Sequence, residues 1–200
     1  MLLYLFVAVL AFAKAEVTYD GPCPDVPAME NFDLSAYQGT WYEIARYPNV
    51  DEEYTRGKCT RQQYRIDGNS NKGTLKNSHV IDGVRSSIRA EVSQPEPGKI
   101  MTTYSFGGVS RSNDMNVLTT DYNNYSITYK CKNLPDSNQH RVFAWIFSRN
   151  KSLDGPAKQS VEDFLKNSQA IDSNKLVDND QSEEACSASV NRVITHFLKF

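Results

Sequence analysis

The cysteines and histidines carry the most distinctive chemistry in this chain, and their spacing argues against a metal centre. No two cysteines form a Cys-x-x-Cys pair, and the histidines are not at metal-ligand spacing. In an exported chain, an even number of separated cysteines predicts two disulfides, and four cysteines allow three pairings. The residues concerned are Cys23, Cys59, Cys131 and Cys186, with His79, His140 and His196.

The same residues argue against an enzyme. If every cysteine is in a disulfide, no thiol is left to act as a nucleophile. His79 and His140 fall on separate predicted strands, and the sequence contains no evident Ser/His/Asp arrangement or close carboxylate pair. The formal net charge of −2 disfavours nucleic acid as a partner, since that needs a basic surface. We therefore expect a protein that is not an enzyme.

The start of the chain indicates export. Residues 2–10 are apolar but too few to span a bilayer, and small residues flank Lys14. We interpret residues 1–15 as a signal peptide that is removed after Ala15, and no second stretch is long enough for a membrane span. The sequence thus predicts a secreted protein, and Asn124 and Asn150 match the N-glycosylation pattern.

One aromatic strand indicates a binding pocket. Phe143, Trp145, Phe147 and Arg149 alternate onto one face, which ordinary core packing would also explain. The small or polar residues predicted to face them leave space that a filled core would give to larger side chains. These are Asn77, Ser86, Ala90 and Thr102. We therefore expect an apolar cavity with a few polar groups, suited to a planar ligand.

Period-two alternation broken by turn residues predicts an all-β meander that positions this strand. A helix with an apolar stripe follows over 156–166, and a short strand is expected near 175–177. We expect one domain over 16–186 and a tail over 187–200. The eight predicted strands are 41–47, 60–66, 74–81, 84–92, 99–106, 115–120, 125–131 and 141–149.

Three short segments resemble the lipocalin family. They are the run from Gly39 to Trp41, the run Thr120-Asp121-Tyr122, and Arg149. The resemblance implies an eight-stranded antiparallel up-and-down barrel with the helix packed outside. It also implies a contact between Arg149 and the face of Trp41 at the closed end, and the disulfide pairings Cys23–Cys131 and Cys59–Cys186.

Within that family, the stretch from Gly21 to Cys186 is similar to the insect bilin-binding proteins and insecticyanins. The resemblance implies non-covalent binding of biliverdin for pigment transport, storage and blue-green colour, with no cysteine spare for a thioether. Carried over by position and joined by Phe143, the pocket residues are Asn77, His79, Ile88, Tyr104, Phe106, Val109, Asn113, Met115, Lys130 and Trp145. Arg46, Lys58 and Lys130 are the candidate cations for the bilin propionates.

Two questions stay open at this point. Hydrophobicity would turn Tyr125, Ile127 and Tyr129 inward, whereas the resemblance turns Lys130 inward, so the exact ligand is in doubt. The alternative functions are a carrier of a retinoid, fatty acid or hormone, and a defence or protein-interaction role at the barrel mouth. The sequence also leaves the oligomeric state open, a homo-oligomer included.

Overall fold

The computed structural model describes residues 16–49, 57–68 and 70–193. The predicted signal segment 1–15 and the last seven residues of the predicted tail, 194–200, lie outside the described residues. The strands are β1 (Thr18–Asp20), β2 (Gly39–Arg46), β3 (Lys58–Ile66), β4 (Lys72–Ile81), β5 (Val84–Glu96), β6 (Lys99–Phe106), β7 (Val109–Thr120), β8 (Tyr125–Leu134), β9 (Gln139–Ser148), β10 (Val177–Asp178) and β11 (Val190–Val193). The helices are α1 (Gly155–Asn167) and α2 (Glu183–Cys186), with a 3₁₀ turn at Ser173–Lys175.

Strands β2 to β9 form a closed antiparallel barrel. Each pairs with the next in sequence, and β9 returns to pair with β2. Short turns join most of them, such as Asp82-Gly83 between β4 and β5. This architecture confirms the predicted eight-stranded barrel with a helix packed outside. Among the described residues, no helix has the length and apolar character needed to cross a membrane.

The barrel wall is apolar on both faces. The inner cluster contains Trp41, Leu75 and Val117, whereas Ile127 and Tyr129 belong to an outer cluster with Val161 of α1. Pro156 lies in the first turn of α1, where proline favours the start of a helix. The apolar stripe of α1 packs against the outer face of the barrel. The inward orientation that hydrophobicity predicted for the β8 tyrosines is therefore wrong, because the helix covers them from outside.

Several element boundaries differ from the sequence prediction. β7 begins at Val109 rather than 115, β5 continues through Pro95 to Glu96, and β9 spans Gln139–Ser148 rather than 141–149. The late strand is Val177–Asp178 rather than 175–177. The strand ends carry polar residues, so alternation alone does not reveal where pairing stops.

Both disulfides join the segments near the chain ends to the wall. The bonds are Cys23–Cys131 and Cys59–Cys186, which confirms the pairing implied by the family resemblance. Beyond Cys186, β11 runs parallel to the start of β5, with Val190 opposite Val84. The segment from Cys23 to Met29 crosses the outside of β7 and β8, where the Met29 N–H donates to the Val117 carbonyl at 2.8 Å.

The hairpin of β6 and β7 leaves the wall near the mouth. Its two strands stay paired to each other up to Phe106 and Val109. Among the described strands, however, β5–β6 pairing ends at Glu91–Thr103 and β7–β8 pairing ends at Asn116–Tyr129. On each side of the upper hairpin the neighbouring described strand is therefore not paired with it, and we call these two unpaired stretches the seams. The tail strand β11 and the segment 23–29 lie beside them.

The closed end is built around Arg149. Its guanidinium carbon lies 3.6 Å from the ring centroid of Trp41, which is fully buried. The guanidinium donates to the carbonyls of Thr40 at 3.0 Å and Tyr122 at 2.8 Å, and the Trp41 indole donates to that of Tyr37 at 2.9 Å. Gly39 has a positive φ of 101°, and a Cβ there would lie 3.0 Å from Arg149 Nη1.

We expect Arg149→Gln to lower the free energy of unfolding by about 2–4 kcal/mol, because it removes the cation over Trp41 and leaves partly buried carbonyls unpaired. Urea denaturation would measure the loss. Lys151→Gln makes the same charge change at an exposed position two residues away and should stay within about 0.5 kcal/mol of wild type. Equal stability of the two variants would show that the floor does not depend on this contact.

Candidate functional site

The lumen above the floor is accessible at the level of the aromatic strand. Phe143 and Trp145 face inward and are partly exposed, whereas Val142, Ala144 and Ile146 between and beside them are buried against the outside. A filled barrel would show the opposite order, since interior side chains would then be the most buried ones. The structure therefore leaves the upper lumen open beside an aromatic wall.

This wall is a stacked pair of rings. The ring centroids of Phe143 and Trp145 are 6.1 Å apart and their planes differ by 10°. On the neighbouring strand β8, Lys130 pairs with Phe143 and Thr128 with Trp145. Flat aromatic faces with adjacent polar groups can hold a conjugated ligand that has polar edges.

Two polar atoms in the lumen have unmet hydrogen-bonding capacity. Asn77 Oδ1 and Thr128 Oγ1 are buried without a hydrogen-bond partner among the described residues. Asn77 shares the inner face of β4 with Leu75, and Thr128 lies opposite Trp145. A buried polar atom without a partner costs about 1–3 kcal/mol, so a ligand that bonds to it recovers free energy.

A buried ion pair lies on the β2 side of the lumen. The Arg46 guanidinium donates to the Glu43 carboxylate, and both side chains are about 5% exposed. Asn179 Nδ2 donates to the same carboxylate at 3.1 Å, and Gln181 Nε2 donates to the Glu43 carbonyl at 2.9 Å. Burial raises the pKa of Glu43, while the charge and hydrogen bond of Arg46 and the hydrogen bond from Asn179 offset part of that rise.

His79 is the buried imidazole of the lumen. It lies on β4 opposite Ser86 of β5 and is 2% exposed. Burial, and to a lesser degree the positive charge of Arg46, lowers the pKa of His79 from 6.5 to about 4. The imidazole is therefore neutral near pH 7 and adds a polar group without a charge.

The predicted pocket residues lie at two levels of the barrel, on the inner wall and at the tip of the β6–β7 hairpin. Ile88 and Met115 are buried on the inner face, Asn77 and His79 lie beside them on β4, and Tyr104 packs against the inner cluster. Phe106 and Val109 instead form the tip of the hairpin, and Val109 is 55% exposed. Asn113 lies lower on the hairpin and accepts a hydrogen bond from Lys130 Nζ. Val109 thus lies at the rim rather than along the wall.

The three predicted cations have different environments. Arg46 is paired with Glu43 in a buried ion pair, so its charge is already balanced within the protein. The Lys58 side chain is 60% exposed and its Nζ lies 3.8 Å from Asp180 Oδ2 on the outside. Arg46 and Lys130 flank the aromatic wall from its two sides, Arg46 opposite Trp145 and Lys130 opposite Phe143.

The predicted motif residues between β7 and β8 form a tight turn at the closed end. The Thr120 hydroxyl donates to the Tyr125 carbonyl at 2.7 Å, and Asp121 accepts from the backbone N–H groups of Asn124 and Tyr125. Tyr122 has a positive φ and presents its carbonyl to Arg149. Asn124 and Asn150, which match the glycosylation pattern, are both exposed.

Sequence and structure comparisons agree with this geometry. Residues 38–183 match the model of the lipocalin/cytosolic fatty-acid binding protein family. The chain belongs to the lipocalin family. It is 45% identical over 187 residues to the bilin-binding protein of Pieris brassicae, which covers 92% of this chain and 97% of that protein. It is 39% identical to insecticyanin-B of Manduca sexta, covering 97% of this chain and 96% of that protein.

A solved structure gives the same result for the fold. Insecticyanin from the tobacco hornworm Manduca sexta superposes with a TM-score of 0.85 at 38% identity, covering 91% of this lipocalin and 98% of that chain. The predicted family and the predicted branch of relatives are therefore confirmed.

Sequence reasoning missed several lumen residues of this lipocalin. Glu43 shares its strand face with Trp41, so alternation alone could have found it. Thr128 lies on the same face of β8 as Lys130, and the sequence did not decide which face of this strand points into the lumen. Asn179 and Gln181 come from a segment that binds between β2 and β3 over a sequence distance of more than 100 residues, which no local pattern encodes.

We expect the stability of this lipocalin to fall as pH drops from 6.5 to 4 in a way that depends on His79. In that interval the unfolded imidazole takes up a proton and the folded one does not, so protonation favours unfolding. The His79 share is at most about 3 kcal/mol, and it does not grow at lower pH.

Urea denaturation across this range would measure the loss for wild type and His79→Gln. The variant should show a shallower decline, because glutamine keeps a polar group but does not titrate. Parallel curves for the two proteins would contradict the buried neutral imidazole.

Proposed function

We propose that this lipocalin binds a bilin pigment, biliverdin, in its lumen without a covalent bond. The observation that carries the proposal is the stacked, partly exposed pair Phe143 and Trp145, bordered by the unpartnered polar atoms of Asn77 and Thr128. A linear tetrapyrrole offers flat conjugated rings for the aromatic faces and lactam and pyrrole edges for the polar atoms. The likeness to a bilin-binding protein and to insecticyanins supports the same ligand.

The proposed ligand contacts are the wall and the residues facing it. They are Asn77, His79, Ile88, Tyr104, Asn113, Met115, Lys130, Phe143 and Trp145, with Phe106 and Val109 at the rim. Because Cys23, Cys59, Cys131 and Cys186 are all in disulfides, the described residues offer no thiol for a covalent link to the pigment or for nucleophilic catalysis. The role is therefore carriage or storage of the pigment, with blue-green colour as its consequence, rather than catalysis.

Export forms part of the proposal. Residues 1–15 act as a signal peptide, 16–186 form the barrel domain, and 187–200 form a tail whose first part is β11. Two disulfides are typical of proteins that mature in an oxidising compartment.

The direct test is a titration of the purified protein with biliverdin, followed by visible absorption. We expect saturable uptake of one equivalent with a red-shifted, sharpened band, because a rigid lumen fixes the pigment in one conformation. Retinol and a long-chain fatty acid serve as comparison ligands. A colourless protein that takes up either comparison ligand but no biliverdin would contradict the pigment and favour a different apolar ligand.

Trp145→Ala should weaken biliverdin binding by about 2 kcal/mol, roughly thirtyfold in Kd, because the pigment loses one aromatic face. The matched control is Phe164→Ala, which removes an aromatic side chain that packs in the outer cluster beneath α1. That variant should keep the wild-type Kd even if its stability falls. Equal Kd values for Trp145→Ala and wild type would place the pigment elsewhere.

A further inference from the structure

Lys130 occupies an unusual position for a lysine. It lies on the inner face of β8, opposite Phe143, and its side chain is only 19% exposed. A lysine that is largely shielded from water gains from a partner, because its ammonium must give up part of its hydration. Its place beside an aromatic wall therefore calls for a partner with negative charge or acceptor oxygens.

The partners present satisfy this ammonium in part. Nζ donates to Asn113 Oδ1 and lies 3.3 Å from Asp114 Oδ1. An ammonium has three N–H donors, and these two contacts account for two of them in the described part of the chain. Asp114 is 51% exposed, so water screens its charge and weakens the compensation.

The other charges of the lumen are balanced. Arg46 and Glu43 form a pair in which both side chains are almost fully buried. His79 is neutral near pH 7 because burial lowers its pKa to about 4. On the described inner face, Lys130 is thus the cation whose counter-charge lies largely in solvent rather than in the lumen. Arg111, nearer the hairpin tip, is exposed and more strongly screened.

A structural role is the competing explanation. Lys130 stands where β7 and β8 cease to pair, and its contacts with Asn113 and Asp114 bridge that seam. If bridging were its whole purpose, removing the charge would loosen the wall and weaken every ligand equally. A role in recognition would instead change the relative affinity for charged and neutral ligands.

We propose that Lys130 makes the lumen select a conjugated ligand that carries a carboxylate over the neutral form of the same ligand. The inference rests on the proposed bilin binding, and it names the propionate carboxylate as the group of the pigment that the protein recognises. One propionate oxygen accepts the remaining N–H of Lys130 while the rings stack on Phe143 and Trp145. The Asn113 side-chain amide, whose oxygen accepts from Lys130, lies next to the same carboxylate.

The test compares biliverdin with its dimethyl ester, which keeps the chromophore and removes both negative charges. Absorption titrations would give two Kd values for each protein. Wild type should bind the acid at least about tenfold more tightly than the ester, as a charge-assisted hydrogen bond at a partly buried site predicts. In Lys130→Gln the ratio should fall close to one through weaker binding of the acid, with the ester nearly unchanged.

Two further variants separate recognition from folding. Asp114→Asn removes the competing carboxylate at an exposed position and should raise the acid-to-ester preference above that of wild type. Lys76→Gln makes the same charge change as Lys130→Gln on the outer face of β4, and it should keep the wild-type ratio.

The outcomes distinguish the two proposals. Wild type that binds acid and ester equally would overturn the role of Lys130 and leave bilin binding intact. The contrary result is that Lys130→Gln weakens the binding of acid and ester equally, with no change of their Kd ratio in Asp114→Asn. That result would mean that Lys130 only bridges the seam, and it would also overturn its role in recognition. Wild type that takes up neither compound would overturn bilin binding and this inference together.

Discussion

The stacking of Arg149 on Trp41 determines which side of β2 and β9 faces the lumen. One guanidinium holds the carbonyls of Thr40 and Tyr122 while it covers the indole, so it joins the start of β2, the β7–β8 turn and the end of β9. Once Trp41 points inward, period-two alternation directs Glu43 inward as well, and pairing with β9 directs Phe147 and Trp145 to the same side. The aromatic wall is therefore a consequence of the floor beneath it.

The ligand site contains few polar groups that are not already paired within the protein. Its buried charges are paired, as in Glu43 and Arg46, or suppressed, as in His79. What remains available is a pair of aromatic faces, the oxygens of Asn77 and Thr128, and one ammonium near the mouth. Such a lumen favours a large flat guest with hydrogen-bonding edges over a plain hydrocarbon chain, because a hydrocarbon would leave those polar atoms unpaired.

The sequence was sufficient for what repeats locally. Alternation and turn residues located the eight wall strands and α1, and the motif residues led to the family and the disulfide pairing. It was insufficient where both faces of a strand are apolar. On β8, Ile127 and Tyr129 are buried by α1 rather than by the lumen, so hydrophobicity could not assign their side. The Asn179 and Gln181 contacts and the β11 pairing depend on residues far apart in sequence, which no periodic pattern records.

The seams beside the β6–β7 hairpin divide the barrel into two mechanical zones. Below Thr103 and Asn116 the hairpin is hydrogen-bonded to β5 on one side and to β8 on the other, and the floor adds Arg149. Above them the hairpin is joined to the wall mainly through side chains such as Lys130. Substitutions near the hairpin tip therefore cost little folding free energy, whereas those at the base cost much. In a barrel built in this way, mutations at the rim can change which ligand is bound, while the base continues to specify the fold.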